Sequence, residues 1–126
     1  MNLMTIDEQL QLVIDSLEKG NAQDMQAFDT SKLTGLFDRV VIASANARQT
    51  KALADHLVRA ARNADIEVLA FEGADTAEWV LVDLGHVVVH LMQPAIRDYY
   101  QLEELWGDHP IELDLKTDTM PKLSDD

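Results

Sequence analysis

The sequence predicts a single α/β domain in which a mixed β-sheet of about five strands is flanked by helices. Three observations support this prediction. Two segments repeat apolar residues at spacings of three and four, as amphipathic helices do. Several short apolar runs rich in β-branched residues have the length of buried strands. With 126 residues, 47% of them hydrophobic and 26% charged, the chain has the size and composition of one globular domain with its own core.

The N-terminal segment is predicted to form a helix followed by a short strand. Thr5 and Glu8 have the spacing of a capping box, in which two residues satisfy each other's backbone N–H groups at the start of a helix. An apolar stripe at helical spacing follows, formed by Ile6, Leu10, Val13, Ile14 and Leu17. Gly20 is predicted to end this helix. Residues 25–28 are a candidate strand, and residues 30–36 are predicted to form a loop.

The middle of the chain predicts a parallel crossover unit, in which two strands are joined by a helix. Residues 39–43 form a mostly apolar run typical of a buried strand. Asn46 is a candidate N-cap, with Gln49 placed to complete a capping box. The helix that follows has one charged face and one apolar face, the latter formed by Thr50, Leu53, Ala54, Leu57, Val58, Ala61 and Ala64. Residues 66–71 supply the second strand.

Residues 79–92 predict a β-hairpin whose two faces differ in composition. Side chains alternate between the faces of a strand, and pairing across Gly85 brings residue 80 opposite 91 and 82 opposite 89. One face is then wholly aliphatic and is predicted to be core: Val80, Val82, Leu84, Val87, Val89 and Leu91. The other contains an acid and a histidine: Trp79, Leu81, Asp83, Val88, His90 and Met92. This second face is either buried beneath a helix or in part a docking patch. A helical segment is predicted from residue 94 through 106.

The candidate reactive groups do not indicate catalysis. The chain has no cysteine, hence no thiol nucleophile or thiolate metal site. His86 and His90 lie about 13 Å apart if both are in one strand, too far to share an ion whose bonds to nitrogen are about 2 Å long. Residues 65–67 and 112–114 each place two carboxylates on one side of an extended segment, as two-metal nucleotidyl transfer needs. No phosphate-binding glycine motif accompanies them, so we expect no metal, no cofactor and no enzymatic activity.

The charge distribution restricts the partners. A formal net charge of −13 argues against tight non-specific binding to nucleic acid, which depends on Lys and Arg. The one basic surface is the charged face of the second predicted helix, formed by Arg48, Lys51, Arg59 and Arg62 with Asp55 among them. Its simpler interpretation is a solvated face, in which Asp55 pairs with Lys51 or Arg59 at a spacing of four. The alternative is an auxiliary contact to nucleic acid or to an acidic partner.

The ends of the chain differ from its middle. Of 23 acidic residues nine lie in residues 98–126, against two of the ten basic residues. We predict a domain over residues 1–110 and a flexible acidic tail over residues 111–126.

The N-terminus lacks the basic start and apolar stretch of a targeting segment. No apolar run reaches the roughly 18 residues that a membrane helix needs, so a cytoplasmic protein without membrane contact is expected.

The second half of the chain resembles the signature of the ribosomal silencing factor family, also called Iojap-like. The resemblance rests on Glu-Gly at 72–73, Ala-Glu-Trp-Val-Leu-Val-Asp-Leu-Gly at 77–85, Val-Val-Val-His-Leu-Met-Gln at 87–93 and Arg-Asp-Tyr-Tyr-Gln-Leu-Glu-Glu-Leu-Trp at 97–106. It extends more weakly over about residues 5–106, and the tail after Trp106 falls outside it. His86 departs from the pattern, because the family usually has an acid after the turn glycine.

The resemblance implies a fold similar to nucleotidyltransferases without their catalytic carboxylates. It implies binding to large-subunit ribosomal protein fourteen, on the face of the large ribosomal subunit that meets the small subunit. A bound copy would sterically block subunit association and repress translation under nutrient limitation, as in stationary phase. The residues that match the family's partner-binding signature are Trp79, Asp83, Met92, Gln93, Arg97 and Tyr100.

These residues are predicted to play different parts. Trp79 and Tyr100 would be the anchors, Met92 would complete the apolar patch, and Asp83 and Arg97 would fix its polar orientation. The basic helix face would then be a peripheral contact to ribosomal RNA. Two alternatives stay open: a nucleotidyltransferase-like nucleotide-binding protein, and a homodimer that assembles through the Trp79 patch.

Overall fold

A computed structural model of the chain describes residues 4–113, so most of the predicted acidic tail and one carboxylate of the 112–114 pair lie outside the described residues. In chain order the elements are α1 (Ile6–Lys19), β1 (Gln23–Asp29), β2 (Arg39–Ser44), α2 (Ala47–Asn63), β3 (Ala70–Glu72), β4 (Trp79–Asp83), β5 (Val87–Met92), α3 (Pro94–Tyr100), a 3₁₀ helix (Leu102–Leu105) and β6 (Pro110–Ile111).

The strands form one mixed sheet of six strands in the order β3-β4-β5-β2-β1-β6. The neighbours β2 and β5 are parallel, and the other four neighbouring pairs are antiparallel. The strand absent from the prediction is β6, which pairs with β1 through two residues only. It includes Ile111, the first residue of the predicted tail. The α/β class and the mixed sheet are confirmed.

The crossover unit differs from the prediction. β3 is shorter than predicted and pairs with β4, whereas the parallel neighbour of β2 is β5. The chain therefore runs from β2 through α2 and the β3-β4 pair before it reaches β5. Residues 66–69 do not extend β3, because the end of α2 continues as a turn: Ile66 N–H donates to the Ala61 carbonyl at 2.8 Å, and Asp65 has a left-handed φ of 60°.

Both predicted helix starts are confirmed. The Thr5 hydroxyl accepts from the Glu8 N–H at 3.1 Å, and the Glu8 carboxylate accepts from the Thr5 N–H at 2.8 Å. Asn46 and Gln49 make the same reciprocal pair at 2.9 and 3.4 Å. These caps satisfy N–H groups that the first turn of a helix leaves without partners.

α1 and α2 cover one face of the sheet, and the main core lies between them and the strands. The predicted pairs form here, with Val80 opposite Leu91 and Val82 opposite Val89. All four side chains are fully buried. The apolar stripes of both helices pack against this aliphatic face, which confirms it as core. Apolar burial of this kind is the main favourable contribution to folding.

The other face of the sheet is covered only in part. The predicted helix over residues 94–106 is wrong as one element, because Gln101 adopts a left-handed φ of 51° and ends α3. The chain then turns back as the 3₁₀ helix. Ile96, Leu102 and Trp106 thereby pack on a second buried cluster, formed by Phe28, Val40, Ile42 and Met92. The predicted burial of this hairpin face is therefore confirmed for the part near β1 and β2. The part on β4 remains partly accessible, and its use as a docking patch stays a prediction.

Candidate functional site: an aromatic docking surface

Aromatic rings form a continuous cluster across the partly covered face of the sheet. We call it the aromatic cluster; its members are Phe28, Phe37, Trp79, His90, Tyr99, Tyr100 and Trp106. Neighbouring ring centroids lie 4.9 to 6.4 Å apart. The cluster contains every Phe, Trp and Tyr of the chain except Phe71. Rings at these separations stabilise one another beyond their simple burial.

One end of the aromatic cluster is strongly exposed. Tyr99 is 80% exposed and Tyr100 53%, and Leu105 of the following 3₁₀ helix is 66% exposed. Tyr100 packs on Trp79 with ring centroids 4.9 Å apart, and Trp79 lines an open cleft of about 310 Å³ with Glu72, Gly73, Leu81 and His90. A contiguous exposed apolar patch containing Tyr and Trp is typical of a protein-binding surface.

The centre of the aromatic cluster is neutral. The Trp79 indole N–H donates to Nδ1 of His90 at 3.0 Å, so this imidazole nitrogen is unprotonated. Burial lowers the pKa of His90 from 6.5 to about 4, because the charged form loses its hydration there. At neutral pH His90 is therefore an uncharged acceptor that fixes the orientation of the indole ring.

The loop before β4 holds Trp79 from its backbone side. Gly73 has a φ of 88°, and a Cβ added to it would lie 2.1 Å from the Trp79 carbonyl oxygen. The loop closes on itself, with the Ala77 N–H donating to the Gly73 carbonyl at 3.0 Å. Gln93 ties this loop to α3, since its backbone N–H donates to the Glu78 carbonyl at 3.0 Å and its side-chain amide donates to the Ala77 carbonyl at 3.1 Å. Gln93 thus positions the surface from its margin.

Arg97 lies beneath α3 and is 7% exposed. Its guanidinium donates to the Asp24 carbonyl at 2.6 Å, the Ser44 hydroxyl at 2.8 Å, the Gln26 amide oxygen at 2.8 Å and the Glu103 carboxylate at 2.9 Å. These partners belong to β1, β2 and the 3₁₀ helix, so Arg97 clamps α3 onto the sheet. Arg97 is therefore placed to hold the patch in position from below its surface, and its predicted part in partner binding stays a prediction.

Met92 and Asp83, two further predicted site residues, support the surface rather than form it. Met92 stands opposite Trp79 in the β4-β5 register and is fully buried, so it supports the patch without being exposed in it. Asp83 is half-buried, and its carboxylate accepts from the Gly85 N–H at 2.8 Å, which closes the hairpin turn. Of the six predicted residues, Trp79 and Tyr100 form the surface, and the other four hold it. Their part in partner binding stays a prediction.

Sequence reasoning missed Tyr99 and Leu105 as surface residues, and Trp106 as the ring that joins His90 to Phe28 and Phe37. The density of aromatic residues between 99 and 106 was an available indication. The predicted single helix over residues 94–106 would distribute these side chains around its axis, so the prediction did not place them in one cluster. With the break at Gln101, Trp106 packs on His90 while Tyr100 packs on Trp79.

The groups of the alternative functions lie elsewhere. Asp65 and Glu67 border a cleft of about 410 Å³ at the turn end of the hairpin, together with Gln9 and His86. Within residues 4–113 no three His, Asp or Glu side chains converge as metal ligands. No helix in that range is both long and apolar enough to cross a membrane. Nothing in the described geometry favours nucleotide chemistry at Asp65 and Glu67.

The basic face of α2 is exposed, as predicted. Lys51 pairs with Asp55 at 3.1 Å, whereas Asp55 makes no ion pair with Arg59. Arg48, Arg59 and Arg62 have no carboxylate within ion-pair distance among the described residues.

The chain is similar to proteins named for an action on ribosomes. The ribosomal silencing factor RsfS of Chromobacterium violaceum is 47% identical over 105 residues, which is 82% of this chain and 86% of the relative. Mitochondrial assembly of ribosomal large subunit protein 1 of Mus musculus is 30% identical over 101 residues, 77% of this chain and 44% of that protein. A crystal structure of a Chromobacterium violaceum protein superposes with a TM-score of 0.81 at 41% identity, covering 96% of this chain and all of that one.

A family model described as "Ribosomal silencing factor during starvation" matches residues 4–125. The match continues past Trp106, so the expectation that the family likeness stops there is wrong. The resemblance seen in the second half of the sequence is confirmed over nearly the whole chain: it belongs to the ribosomal silencing factor (RsfS) family.

Proposed function

We propose that this chain binds the large ribosomal subunit through the exposed end of the aromatic cluster and silences translation by blocking subunit association. One observation carries the proposal: the exposed ring of Tyr100 packs on the half-buried ring of Trp79, on a sheet face that α1 and α2 leave uncovered. The names of the relatives support a ribosomal partner. Such rigid aromatic side chains commonly supply most of the binding energy of an interface.

The surrounding charge favours a basic protein as the partner. Exposed acidic residues flank the cluster in the chain or line the cleft at Trp79; they are Glu72, Glu78, Asp98 and Glu104. An acidic rim attracts a basic ribosomal protein and disfavours direct contact with phosphates. The proposed partner is large-subunit ribosomal protein fourteen, and the proposed setting is the cytoplasm of cells that are short of nutrients.

The proposed mechanism is steric and needs no catalytic group. A bound copy occupies the space that the small subunit needs, so its effect depends on being held firmly in one orientation. Arg97 and Gly73 provide that rigidity, because they fix α3 and Trp79 to the sheet. The basic face of α2 (Arg48, Lys51, Arg59 and Arg62) would add a peripheral contact to ribosomal RNA.

Co-sedimentation with purified large subunits tests the proposal. Trp79→Ala and Tyr100→Ala should each abolish co-sedimentation while the far-ultraviolet circular dichroism spectrum stays unchanged. Leu69→Ala is a matched control, because Leu69 is 57% exposed, similar to Tyr100 at 53%, and lies at the cleft near the hairpin turn. A wild-type chain that fails to co-sediment at low and at moderate salt would refute the proposal.

Self-association would use the same surface. A homodimer through the aromatic cluster would bury Trp79 and Tyr100, so it should compete with the ribosomal partner. Size-exclusion chromatography over a dilution series, with and without purified ribosomal protein fourteen, separates the two states. A dimer that persists in the presence of the partner would place self-association on another surface.

A further inference from the structure

We propose that the cleft between α2 and β3 binds an extruded nucleotide of single-stranded RNA. This open cleft has a volume of about 400 Å³ and is lined by Asp55, Val58, Arg59, Arg62, Asn63 and Phe71. It lies on the helix-covered side of the sheet, away from the aromatic cluster. The inference deepens the peripheral RNA contact of the proposed function and rests on that function for its setting in the cell.

Two arginines of the cleft are available to bind phosphate. Arg59 and Arg62 are exposed, and their spacing of three places them on one side of α2. Neither has an ion-pair partner among residues 4–113, while the acid of the cleft, Asp55, is paired with Lys51 at 3.1 Å. A guanidinium binds phosphate oxygens in a bidentate manner, so the cleft offers anion-binding groups that the fold leaves unused.

Phe71 supplies the surface on which a base would stack. It is the one Phe, Trp or Tyr outside the aromatic cluster, and it lies half-buried on β3 at the edge of the sheet. Pairing with Val82, a core residue, places it on the helix side. Bases of single-stranded RNA are recognised by stacking on aromatic rings beside basic side chains. The Asn63 amide in the same cleft can donate to and accept from a base edge.

The aromatic ring of Phe71 favours RNA over an acidic peptide as the ligand of this cleft. A peptide carboxylate would use Arg59 and Arg62 but needs no flat aromatic surface in the same cleft. Phe71 and Glu72 are consecutive residues of one strand, so they face opposite sides of the sheet, and Glu72 lines the cleft at Trp79. The nucleotide cleft and the docking surface therefore lie on opposite faces of the sheet at the edge strand β3. A ribosomal surface where protein lies beside an unpaired RNA segment fits both.

Fluorescence anisotropy of the full chain with a short labelled single-stranded RNA, at low salt, tests the inference. Phe71→Leu keeps an apolar side chain but removes stacking, and should weaken binding at least about fivefold. The double variant Arg59→Ala with Arg62→Ala should weaken it further, and it changes only exposed side chains, so the fold is retained. Lys32→Ala is the control, because it removes one positive charge from an exposed side chain in the loop between β1 and β2, outside the basic face of α2, and it should have little effect.

Three results would overturn the inference: no RNA binding by the wild type, a loss for Lys32→Ala that equals the loss for the double variant of Arg59 and Arg62, or an affinity for polyglutamate that equals the affinity for RNA. Duplex RNA of the same length should bind more weakly, because its bases are stacked within the helix. A chain that binds the oligonucleotide but fails to co-sediment with large subunits would refute the proposed function alone. A chain that co-sediments without binding the oligonucleotide would refute the nucleotide cleft alone.

Discussion

The indole nitrogen of Trp79 donates a hydrogen bond of 3.0 Å to Nδ1 of His90 across the β4-β5 pair. The bond requires a neutral imidazole with its proton on Nε2. Adding a proton to Nδ1 would remove the acceptor and place a charge inside the aromatic cluster. The anchor of the proposed docking surface therefore depends on the protonation state of one buried histidine.

The stability of the fold should fall as the pH falls below 6.5. The pKa of His90 is lowered from 6.5 to about 4 in the folded chain, so the unfolded state binds its proton first. The stability that neutral His90 contributes is fully present above pH 6.5. By pH 5 the free energy of unfolding has fallen by about 2 kcal/mol. Urea unfolding of wild type and His90→Gln should diverge over this range, because Gln retains an acceptor for the indole N–H but does not titrate. Parallel curves would contradict the assignment.

Replacing Gly73 by Ala should disturb Trp79. The new Cβ would lie 2.1 Å from the Trp79 carbonyl oxygen, at a φ of 88° that side chains rarely adopt. We expect a loss of about 2 kcal/mol or more in the free energy of unfolding, together with weaker co-sedimentation. Gly35→Ala is the control, since nothing lies within 4 Å of its added Cβ, and it should leave both measurements unchanged. Equal effects at the two glycines would exclude a specific role for the close approach.

Arg97→Ala should destabilise the chain strongly. It leaves the Glu103 carboxylate without its partner, and the other buried oxygen of that carboxylate has no hydrogen bond within residues 4–113. Removing one side of a buried charged pair costs about 3 kcal/mol or more. Arg97→Lys should be intermediate, because an ammonium has three donors and cannot reach all four acceptors. Chemical denaturation measures both. Near-wild-type stability of Arg97→Ala would mean that α3 is held by its apolar contacts alone.

Substitutions of Asp83 can distinguish its role in the hairpin turn from its proposed contact with the partner. Asp83→Asn keeps the acceptor for the Gly85 N–H and removes the charge, so the hairpin should stay intact. Asp83→Ala loses the bond and should destabilise the chain by about 1 kcal/mol. If the charge contributes to docking, Asp83→Asn should weaken binding to large subunits with unchanged unfolding. Unchanged binding would confine Asp83 to the turn.

The parts of the fold that the sequence predicts are those decided locally. Thr5 and Asn46 cap their helices through residues three positions away, and the alternation around Gly85 sets the β4-β5 register without reference to the rest of the chain. The pairing of β2 with β5 depends instead on packing between distant segments. β6 has only two residues, one of them Pro110, and no periodicity can show a strand so short.

The sequence predicts the two main surface residues of the aromatic site, but it does not predict how buried residues hold them in place. Trp79 and Tyr100 belong to recognisable strings, and the polar interruptions of the hairpin face indicate that the face around Trp79 is not wholly buried. The burial of Arg97 could not be inferred, because its acceptors come from β1, β2 and the 3₁₀ helix, three segments whose approach is a tertiary result. The left-handed conformation of Gln101 could not be predicted either, because Gly or Asn is the usual residue at such a position.

The hairpin of β4 and β5 has residues of the core on one side and of the proposed docking surface on the other. A shift of one residue in its pairing would send Trp79 and His90 under the helices and expose the valines to water. Correct folding and correct recognition are therefore decided by the same backbone hydrogen bonds. A copy misassembled in this way would lose its stability together with the proposed docking surface, so a faulty copy should be recognisable as unfolded protein.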